Sequence, residues 1–452
     1  MPSPPPSPAY LVLHGGSILQ FLSLQGFGPA GVSPSSQLRQ PAPRPRASLR
    51  AADVVVDAVS GRIAAICNNS AETEAFLEGL HTHSTFINIR DRIVMPGMLD
   101  AHVHVTASSA DLRAAASTLP SLMTARAVPI LQGMIRRGFT TVRDCGGADA
   151  GLAAAIEEGT IELAPRVLFC GKALSPTGGH GDFRGAGEPF LPLCRCCQGG
   201  NSTIGRVADG VDAVREAVRD EVRKGAAHIK VMASGGVSSP TDRITNLQYS
   251  EDELRAIVDE AAMAGLGVAA HAYTSEAIRR AVKAGVRSIE HGNLADEEAI
   301  ADMLAAHAFL VPTIITYERL REEGEQAGMP RELVHKVGDL VERGVDVLRM
   351  AEEKGLPIAY GSDLLGAMHP YQAAGIALHL QAQSPSAVLA ALTIGPARLF
   401  DLEDEIGVIK RGAIADLLVV AGGDVTSDPT ILMNEENLVY VVKSGRIVVD
   451  RS

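Results

Sequence analysis

The sequence predicts an α/β fold in which a (β/α)8 TIM barrel carries a small β-sandwich built from both ends of the chain. First, short apolar strands alternate with amphipathic helices between about Ile93 and Leu402. Second, eight such strands can be counted, which is the number in this barrel. Third, both flanking segments contain short β-like runs, and each segment is too short to build a core alone. An open doubly wound sheet is the alternative, but it needs a Gly-rich phosphate-binding turn after the first strand, and the sequence has none there.

These observations divide the chain at two boundaries. Residues 1–92 are expected to form the N-terminal part of the β-sandwich, 93–402 the barrel and 403–452 the C-terminal part of the sandwich. Within the first part, residues 1–9 are interpreted as a disordered Pro/Ser tail and residues 26–50 as a loop rich in Gly, Pro, Ser and Arg.

Hydrophobic periodicity predicts the individual elements. The predicted flanking strands are Tyr10–Leu13, Ala52–Val59, Arg62–Cys67, Thr85–Ile89, Ala415–Ala421, Leu438–Lys443 and Arg446–Val449. The predicted barrel strands are Met98–Val103, Thr140–Asp144, Arg166–Cys170, His228–Met232, Gly267–His271, Ser288–His291, Phe309–Pro312 and Ile358–Ser362. The helices predicted between them include Gly210–Lys224, Ser250–Ala264, Thr274–Ala284, Asp296–Ala306 and Arg331–Lys354.

The amino-acid composition favours an enzyme that acts on small molecules. The net charge is -12, no basic stripe stands out and Trp is absent, so no nucleic-acid partner is expected. The sequence has no apolar run long enough to span a bilayer. Its N-terminus lacks the basic and apolar regions of a signal peptide, so a cytoplasmic location is the default expectation, with a secreted form left open.

The six cysteines fall into two groups. Cys67, Cys145 and Cys170 lie in apolar runs, where a cysteine usually behaves as a small buried hydrophobe. Cys194, Cys196 and Cys197 form a cluster without the second pair that a zinc finger or ribbon needs. We interpret this cluster as a loop feature, with loop thiols, a local disulfide and an adventitious metal site left open.

Two histidines close the first predicted barrel strand. His102 and His104 are two residues apart, so they face the same way on a strand and can bind one metal ion. The pattern is weak alone, because His81-Thr82-His83 has the same spacing and is interpreted as a polar turn.

Further polar residues fall at later strand ends, where the catalytic face of a barrel lies. His271 and His291 end predicted strands five and six, and Asp363 ends strand eight. Each could instead be an ordinary hydrogen-bonded core residue, but chance seldom places so many metal-ligand types at one face of a fold.

Lys230 lies inside the apolar fourth strand, where an ammonium is costly to bury. A salt bridge to a nearby carboxylate is one interpretation. The other is that desolvation lowers its pKa, so that the neutral amine captures carbon dioxide as a carbamate. A carbamate has two anionic oxygens and can bridge two metal ions.

At this point the sequence resembles a known family. The segments PGMLDAHVHV, HIKVMASGG, HAYT, IEHGN, YGSD and GVIKRGAIADLLVV are similar to the metal-dependent amidohydrolase superfamily in its binuclear, carboxylated-lysine form. The stretches TGGHGD and ADGVDAVREAVRDEVRKGAAHIKVMASGGVSSPTD resemble its Xaa-Pro dipeptidase and ochratoxinase (imidazolonepropionase-like) branch.

The resemblance implies a role for each matching residue. His102, His104 and Asp363 would hold one divalent ion, His271 and His291 a second, and carboxylated Lys230 would bridge the two. Zn²⁺ suits these ligands best, although manganese, cobalt or iron could occupy the same site.

The resemblance also implies a mechanism, in which a metal-bridged hydroxide attacks an amide carbonyl. Asp363 would be the general base. His180 and Tyr273 would bind substrate and stabilise the oxyanion, with a loop histidine and a packed aromatic as their plainer interpretations.

The implied substrate is an N-acyl amino acid or dipeptide with a free carboxylate, and ochratoxin A amide hydrolysis is included. Arg184, Arg206 and Arg243 are all candidates to bind that carboxylate. A cyclic amide or imidazolone ring hydrolase, a deaminase, a lactonase and a phosphotriesterase are alternatives; Lys230 argues against the one-metal types. A non-catalytic scaffold would have lost ligands, whereas this chain has all six. Relatives suggest a homo-oligomer.

Overall fold

The computed structural model describes residues 10–22, 45–80, 83–185 and 203–452. In these residues the strands are β1 (Tyr10–His14), β2 (Ser17–Leu22), β3 (Arg46–Ala51), β4 (Asp53–Asp57), β5 (Arg62–Cys67), β6 (Ser84–Asn88), β7 (Ile93–Pro96), β8 (Met98–Val103), β9 (Phe139–Asp144), β10 (Arg166–Phe169), β11 (Ala173–Ser175), β12 (Gly205–Val207), β13 (Ile229–Met232), β14 (Val268–Thr274), β15 (Ser288–Leu294), β16 (Phe309–Val311), β17 (Leu417–Val420), β18 (Leu438–Lys443) and β19 (Arg446–Asp450).

The α-helices of the same residues are α1 (Ser70–Glu78), α2 (Leu112–Ala116), α3 (Pro120–Arg136), α4 (Ala150–Glu157), α5 (Val211–Arg223), α6 (Glu251–Met263), α7 (Ser275–Ala284), α8 (Glu297–Ala305), α9 (Ile314–Glu323), α10 (Arg331–Val334), α11 (Leu340–Lys354), α12 (Gly375–Leu380), α13 (Pro385–Ala391) and α14 (Ile394–Leu399). Short 3₁₀ segments are His335–Val337, Gly366–Ala374, Pro429–Met433 and Glu435–Asn437.

The chain divides into two compact units. The first comprises the described residues of Met1–Leu99, Ile135–Thr140 and Ser384–Ser452, and the second Asp100–Met134 and Thr141–Gln383.

The first unit contains two sheets, with strand orders β5-β4-β1-β6 and β19-β18-β17-β7-β2-β3. In the second sheet, β17 from the C-terminal end pairs antiparallel with β7, with Leu417 opposite Pro96 and Val420 opposite Ile93. Strands from both ends of the sequence therefore belong to one sheet, as the short flanking segments predict.

Apolar side chains of both sheets meet in one buried cluster. Leu11 and Leu13 of β1 contribute to it, since residues two apart on a strand face the same side. Ile18 of β2, Val94 of β7 and Leu417 of β17 contribute from the other sheet, and all three are fully buried.

The second unit alternates strands with helices. Its six-stranded sheet, β12-β11-β13-β14-β15-β16, is parallel in every pair, and β9 also pairs in parallel with β10. Helices α6, α7 and α8 each connect consecutive parallel strands, as parallel pairing requires. The predicted α/β class is confirmed.

Two predicted barrel strands differ from the regular pattern. The segment 358–362 is not a regular strand: Ile358 forms one isolated parallel bridge with Leu310, and Tyr360 accepts a hydrogen bond from the Ala101 amide. The predicted third strand ends at Phe169, and a separate strand, β11, follows Gly171, whose φ of 73° interrupts the extended backbone. The regular strands described in this unit therefore form separate sheets and do not pair around a closed barrel.

Two other predictions were wrong in detail. The predicted helix Arg331–Lys354 is interrupted, because Gly338 has a φ of 48° and separates the 3₁₀ turn His335–Val337 from α11. Residues 46–50 belong to β3 rather than to a loop, where they pair antiparallel with β2.

The predictions for the cysteines, the N-terminal tail and the Gly/Pro-rich loop fall partly inside and partly outside the described residues. Cys67, Cys145 and Cys170 are buried free thiols, as predicted. The tail 1–9, most of the loop 26–50, His81 and the cluster Cys194–Cys197 lie outside the described residues. Within the described ranges, none of the helices combines the length and apolar character that crossing a membrane requires.

Candidate active site

All eight residues predicted for the site lie around one cavity in the second unit. They are His102, His104, His180, Lys230, His271, Tyr273, His291 and Asp363. Strands β8, β13, β14 and β15 carry five of them directly. The carboxyl ends of parallel strands meet at one edge of a sheet, so residues far apart in sequence converge there.

Asp363 lies at the centre of the histidines. Its Oδ1 is 3.3 Å from His104 Nε2 and 3.5 Å from His102 Nε2, and its Oδ2 is 3.9 Å from His291 Nδ1. Burial alone would raise the pKa of Asp363, but the imidazoles of His102 and His104 hold it well below the usual range. The carboxylate is therefore the ionised form.

The histidines themselves are buried and close to one another. Ring centroids are 5.4 Å apart for His102 and His104, 5.0 Å for His102 and His291, and 4.5 Å for His271 and His291. Burial lowers the pKa of His102 and His271 well below the ordinary value and that of His291 to about 3. Neutral imidazole is the form that binds metal. Potential ligand atoms of His102, His291 and Asp363 lie within 4.8 Å of one another.

Lys230 is the strongest indication that this cavity holds a charged group. Its side chain is 1% exposed, and among the described residues its Nζ has no hydrogen-bond partner. A buried unpartnered amine is costly. The simple salt bridge considered from the sequence is therefore absent from the described part of the chain, and the histidines and Asp363 around Lys230 fit a metal centre.

Arg143 and Glu290 support the site, although sequence reasoning missed both. Glu290 Oε2 lies 2.7 Å from His102 Nδ1, and its Oε1 accepts from Arg143 Nη2 at 2.7 Å. Arg143 Nε also donates to the carbonyl of Ala101 at 2.6 Å. Glu290 is fully buried, and a glutamate inside a predicted barrel strand, next to His291, was the available signal. Because Glu290 contacts His102 Nδ1, the other ring nitrogen, Nε2, is directed towards Asp363.

Backbone strain marks two residues of the site. His291 has a φ of 75° and Asp363 a φ of 51°, which non-glycine residues adopt only when the surrounding structure requires it. Neighbours on a regular strand face opposite sides. The unusual φ at His291 breaks this alternation after Glu290, so both side chains approach His102.

A chain of hydroxyl groups connects Tyr273 with His291. Tyr273 Oη lies 2.7 Å from Tyr317 Oη, which lies 2.9 Å from His291 Nδ1. Thr313 Oγ1 lies 2.7 Å from the same nitrogen. Burial raises the pKa of both tyrosines, so their hydroxyls stay protonated and can donate. Tyr317 was missed, because nothing in the α9 sequence distinguishes it from a packed aromatic.

The rings of His180 and His271 are stacked, with their centroids 4.2 Å apart and an interplanar angle of 22°. Its Nδ1 lies 2.7 Å from Ser239 Oγ. Burial lowers the pKa of His180 to about 4.

The three arginines considered for a substrate carboxylate do not line the cavity. Arg184 forms two short hydrogen bonds with Asp182, and Arg206 donates to Asp220 at 2.8 Å. Arg243 is exposed.

Comparisons with known proteins identify the family of this chain. The model of the amidohydrolase family matches residues 93–448. Ochratoxinase from Aspergillus niger is 31% identical over 397 residues, which cover 83% of this chain and 79% of that protein. The structure of a prolidase complexed with N-methylphosphonate-L-proline is 42% identical with a TM-score of 0.86, and the match covers 98% of this chain and 100% of that chain. A Xaa-Pro dipeptidase with bound methionine is 27% identical with a TM-score of 0.78, covering 97% and 99%.

These relatives confirm the resemblance inferred from the sequence motifs. The family match extends over most of the chain and includes every residue of the cavity. We conclude that the chain belongs to the amidohydrolase family and is a hydrolase that acts on amide bonds.

Proposed function

We propose that the protein is a binuclear metal-dependent amidohydrolase that cleaves an amide bond in an N-acyl amino acid or dipeptide with a free carboxylate. Amide hydrolysis of ochratoxin A falls within this class. The observation that carries the proposal is Lys230, a buried amine without a partner in the described residues, surrounded by four histidines and Asp363. The similarity to a prolidase and to ochratoxinase supports the substrate class.

The donor set suits two divalent ions, and we propose Zn²⁺. His102, His104 and Asp363 would hold one ion and His271 and His291 the other, with Lys230, carboxylated by carbon dioxide, shared between them. When bound, such ions lower the pKa of water and polarise a carbonyl.

The residues of the chain then have separate tasks. Asp363 is ionised and lies beside His102 and His104, so it can accept a proton from the attacking water and pass it to the leaving nitrogen. Tyr273 keeps its hydroxyl proton and can donate to the oxygen on which negative charge develops. His180 is proposed to contact the substrate beside it.

We extend the proposal to the architecture. Within the predicted range 93–402, the residues after β7 would form a closed (β/α)8 barrel. Segments 1–92 and 403–452 would be the two parts of a β-sandwich, to which β7 also belongs. The hydrogen bonds from the Asp363 and Ser362 amides to the His102 carbonyl support a pairing of the last barrel segment with the first. The assembly is proposed to be a homo-oligomer that acts on small molecules and binds no nucleic acid.

Replacing Lys230 by alanine tests the two-metal centre. We expect Lys230→Ala to lower the metal content from two equivalents per chain to one or fewer and to remove nearly all activity, because the shared ligand is gone. Metal content would be measured by mass spectrometry, and activity on a panel of acyl amino acids, Xaa-Pro dipeptides and lactones.

Lys172→Ala is the matched control, since Lys172 is half-buried but does not line the cavity. An unchanged metal content and rate in Lys230→Ala would contradict the two-metal centre. Hydrolysis of lactones alone would contradict the substrate class.

A further inference from the structure

Behind His180, away from the proposed metal ligands, lies a buried chain of polar groups that none of the steps above uses. Ser239 Oγ is 2.7 Å from His180 Nδ1 and makes a short hydrogen bond with Asp242 Oδ1. Ser239 is fully buried, and Asp242 is 6% exposed. Buried polar groups of this kind need fixed donors and acceptors, so the direction of each bond can be worked out.

The hydrogen bonds of Gln248 determine which group donates to Asp242. The backbone amide of His180 donates to Gln248 Oε1 at 3.0 Å, so the amide group of Gln248 must present its nitrogen on the other side. That nitrogen donates to Asp242 Oδ2 at 2.8 Å. One oxygen of Asp242 is therefore an acceptor.

Lys336 lies beside Asp242 at the far end of these polar groups. Its ammonium lies 3.7 Å from Asp242 Oδ1 and donates to the carbonyls of Ser239 at 2.7 Å and Asp242 at 2.8 Å. An ammonium has only donors, so Lys336, like the Gln248 nitrogen, offers Asp242 nothing that could accept a hydrogen bond. With both oxygens of Asp242 accepting, the Ser239 hydroxyl must donate to Asp242, and its oxygen then accepts the proton carried by His180 Nδ1.

The ring of His180 is also held sterically. It stacks on His271 on one side. On another side a Cβ at Gly236 would lie 2.2 Å from His180 Cε1, so only glycine allows this approach. Since Nδ1 is engaged, Nε2 is the nitrogen left for the cavity, and it makes no hydrogen bond to any residue in the described ranges.

We propose that Asp242, Ser239 and Lys336 are positioning residues that keep a proton on His180 Nδ1 and hold Nε2 towards the substrate. The chain acts on catalysis only through His180, as supporting partners act through the histidines that they orient. This inference rests on the proposed function for its kinetic consequences, but the protonation pattern of His180 does not depend on the substrate.

Asp242→Asn reverses the direction of the chain while keeping its shape. The new amide can donate to Ser239 and still accept from Gln248, so the Ser239 hydroxyl would turn to donate to His180 Nδ1. We expect long-range ¹H–¹⁵N spectra of the metal-loaded, ¹⁵N-histidine-labelled protein to show a proton on Nδ1 in the wild type and on Nε2 in the variant. The signal would be assigned with His180→Gln.

Two spectral outcomes would overturn the proposal: a wild-type His180 with its proton on Nε2 alone, or the same pattern in both proteins. If Asp242→Asn fails to fold, Ser239→Ala gives the second test. Without the hydroxyl, Nδ1 loses its acceptor, and we expect the Nδ1 proton to lose its protection from exchange with solvent. An unchanged exchange rate would also overturn the proposal.

Kinetics test the consequence for catalysis. We expect Asp242→Asn to lower kcat on an acyl amino acid about tenfold and to change KM less than about twofold, since a misdirected ring loses an interaction that matters mainly as charge develops. Asp209→Asn is the control, because Asp209 hydrogen-bonds Thr177 near His180 but is exposed and does not contact the ring. An equal loss in both variants, or a change in KM alone, would contradict positioning. If the wild type hydrolyses no acyl amino acid or dipeptide, the proposed function fails. The spectra still show whether Asp242, Ser239 and Lys336 keep the proton on His180 Nδ1.

Discussion

At the residue scale, Glu290 is a buried carboxylate that orients a neighbouring histidine. Burial alone would raise its pKa, but Arg143 holds that pKa below the usual value, so Glu290 stays ionised beside His102. A carboxylate on one ring nitrogen fixes the tautomer and makes the other nitrogen a better ligand. Removing one partner of such a buried pair leaves the other uncompensated.

We therefore expect Glu290→Gln to weaken metal binding about 10- to 100-fold, because the amide cannot orient and polarise His102 as a carboxylate does. The measurement is a chelator titration that follows metal loss. Glu260→Gln is the control, since Glu260 also pairs with arginine but lies on α6 and does not line the cavity. Equal metal affinity in Glu290→Gln and the wild type would show that Glu290 is only structural.

At the element scale, helix α9 determines the position of Tyr317. The helix begins at Ile314, directly after β16 and Thr313, so its first turn stays beside the cavity. This places the Tyr317 hydroxyl between Tyr273 and His291. Neither periodicity nor the motifs of the family identify such a residue, because its role depends on two partners in other strands.

Tyr317→Phe removes only that hydroxyl. We expect kcat to fall about tenfold, since a buried hydrogen bond to Tyr273 is worth about 1 kcal/mol and its loss frees the side chain that is proposed to contact the developing charge. Steady-state kinetics would measure the change. Tyr249→Phe is the control: the Tyr249 hydroxyl is buried without a hydrogen-bond partner in the described residues, so its loss should leave kcat unchanged. Full activity in Tyr317→Phe would exclude Tyr317 from this chain of groups.

The elements also show which parts of the fold local patterns can predict. Strands β13, β14 and β15 begin within one residue of their predicted starts, because apolar runs bounded by turn residues identify buried parallel strands. Strands β14 and β15 each continue three residues beyond the predicted end. The interruption at Gly338 was missed, since apolar residues continue with helical spacing on both sides. Only the backbone conformation at Gly338 separates the two elements.

At the scale of the whole molecule, the first unit depends on both ends of the sequence. Strand β17 lies between β18 and β7, so a C-terminal strand is paired on one side with a strand more than 300 residues earlier in the chain. Leu417 is fully buried in the shared cluster. Removing its side chain leaves a cavity that surrounding atoms fill only partly.

Leu417→Ala should lower the free energy of unfolding by about 2–5 kcal/mol. Urea denaturation followed by circular dichroism would measure this value. Val59→Ala is the control, because Val59 is 85% exposed and its side chain buries little surface. A loss below about 1 kcal/mol in Leu417→Ala would show that the cluster tolerates the cavity.

The sequence by itself determined the class of fold, the family and eight of the residues that line the cavity. It could do so because histidines and an aspartate at strand ends, and a lysine inside an apolar strand, are chemically distinctive, and parallel strands bring such residues together at one edge. The tertiary structure alone decided the supporting partners: Glu290 and Arg143 behind His102, Tyr317 beside Tyr273, and the chain from Lys336 to His180. These roles depend on distances and donor directions between residues remote in sequence, and such contacts leave no local pattern.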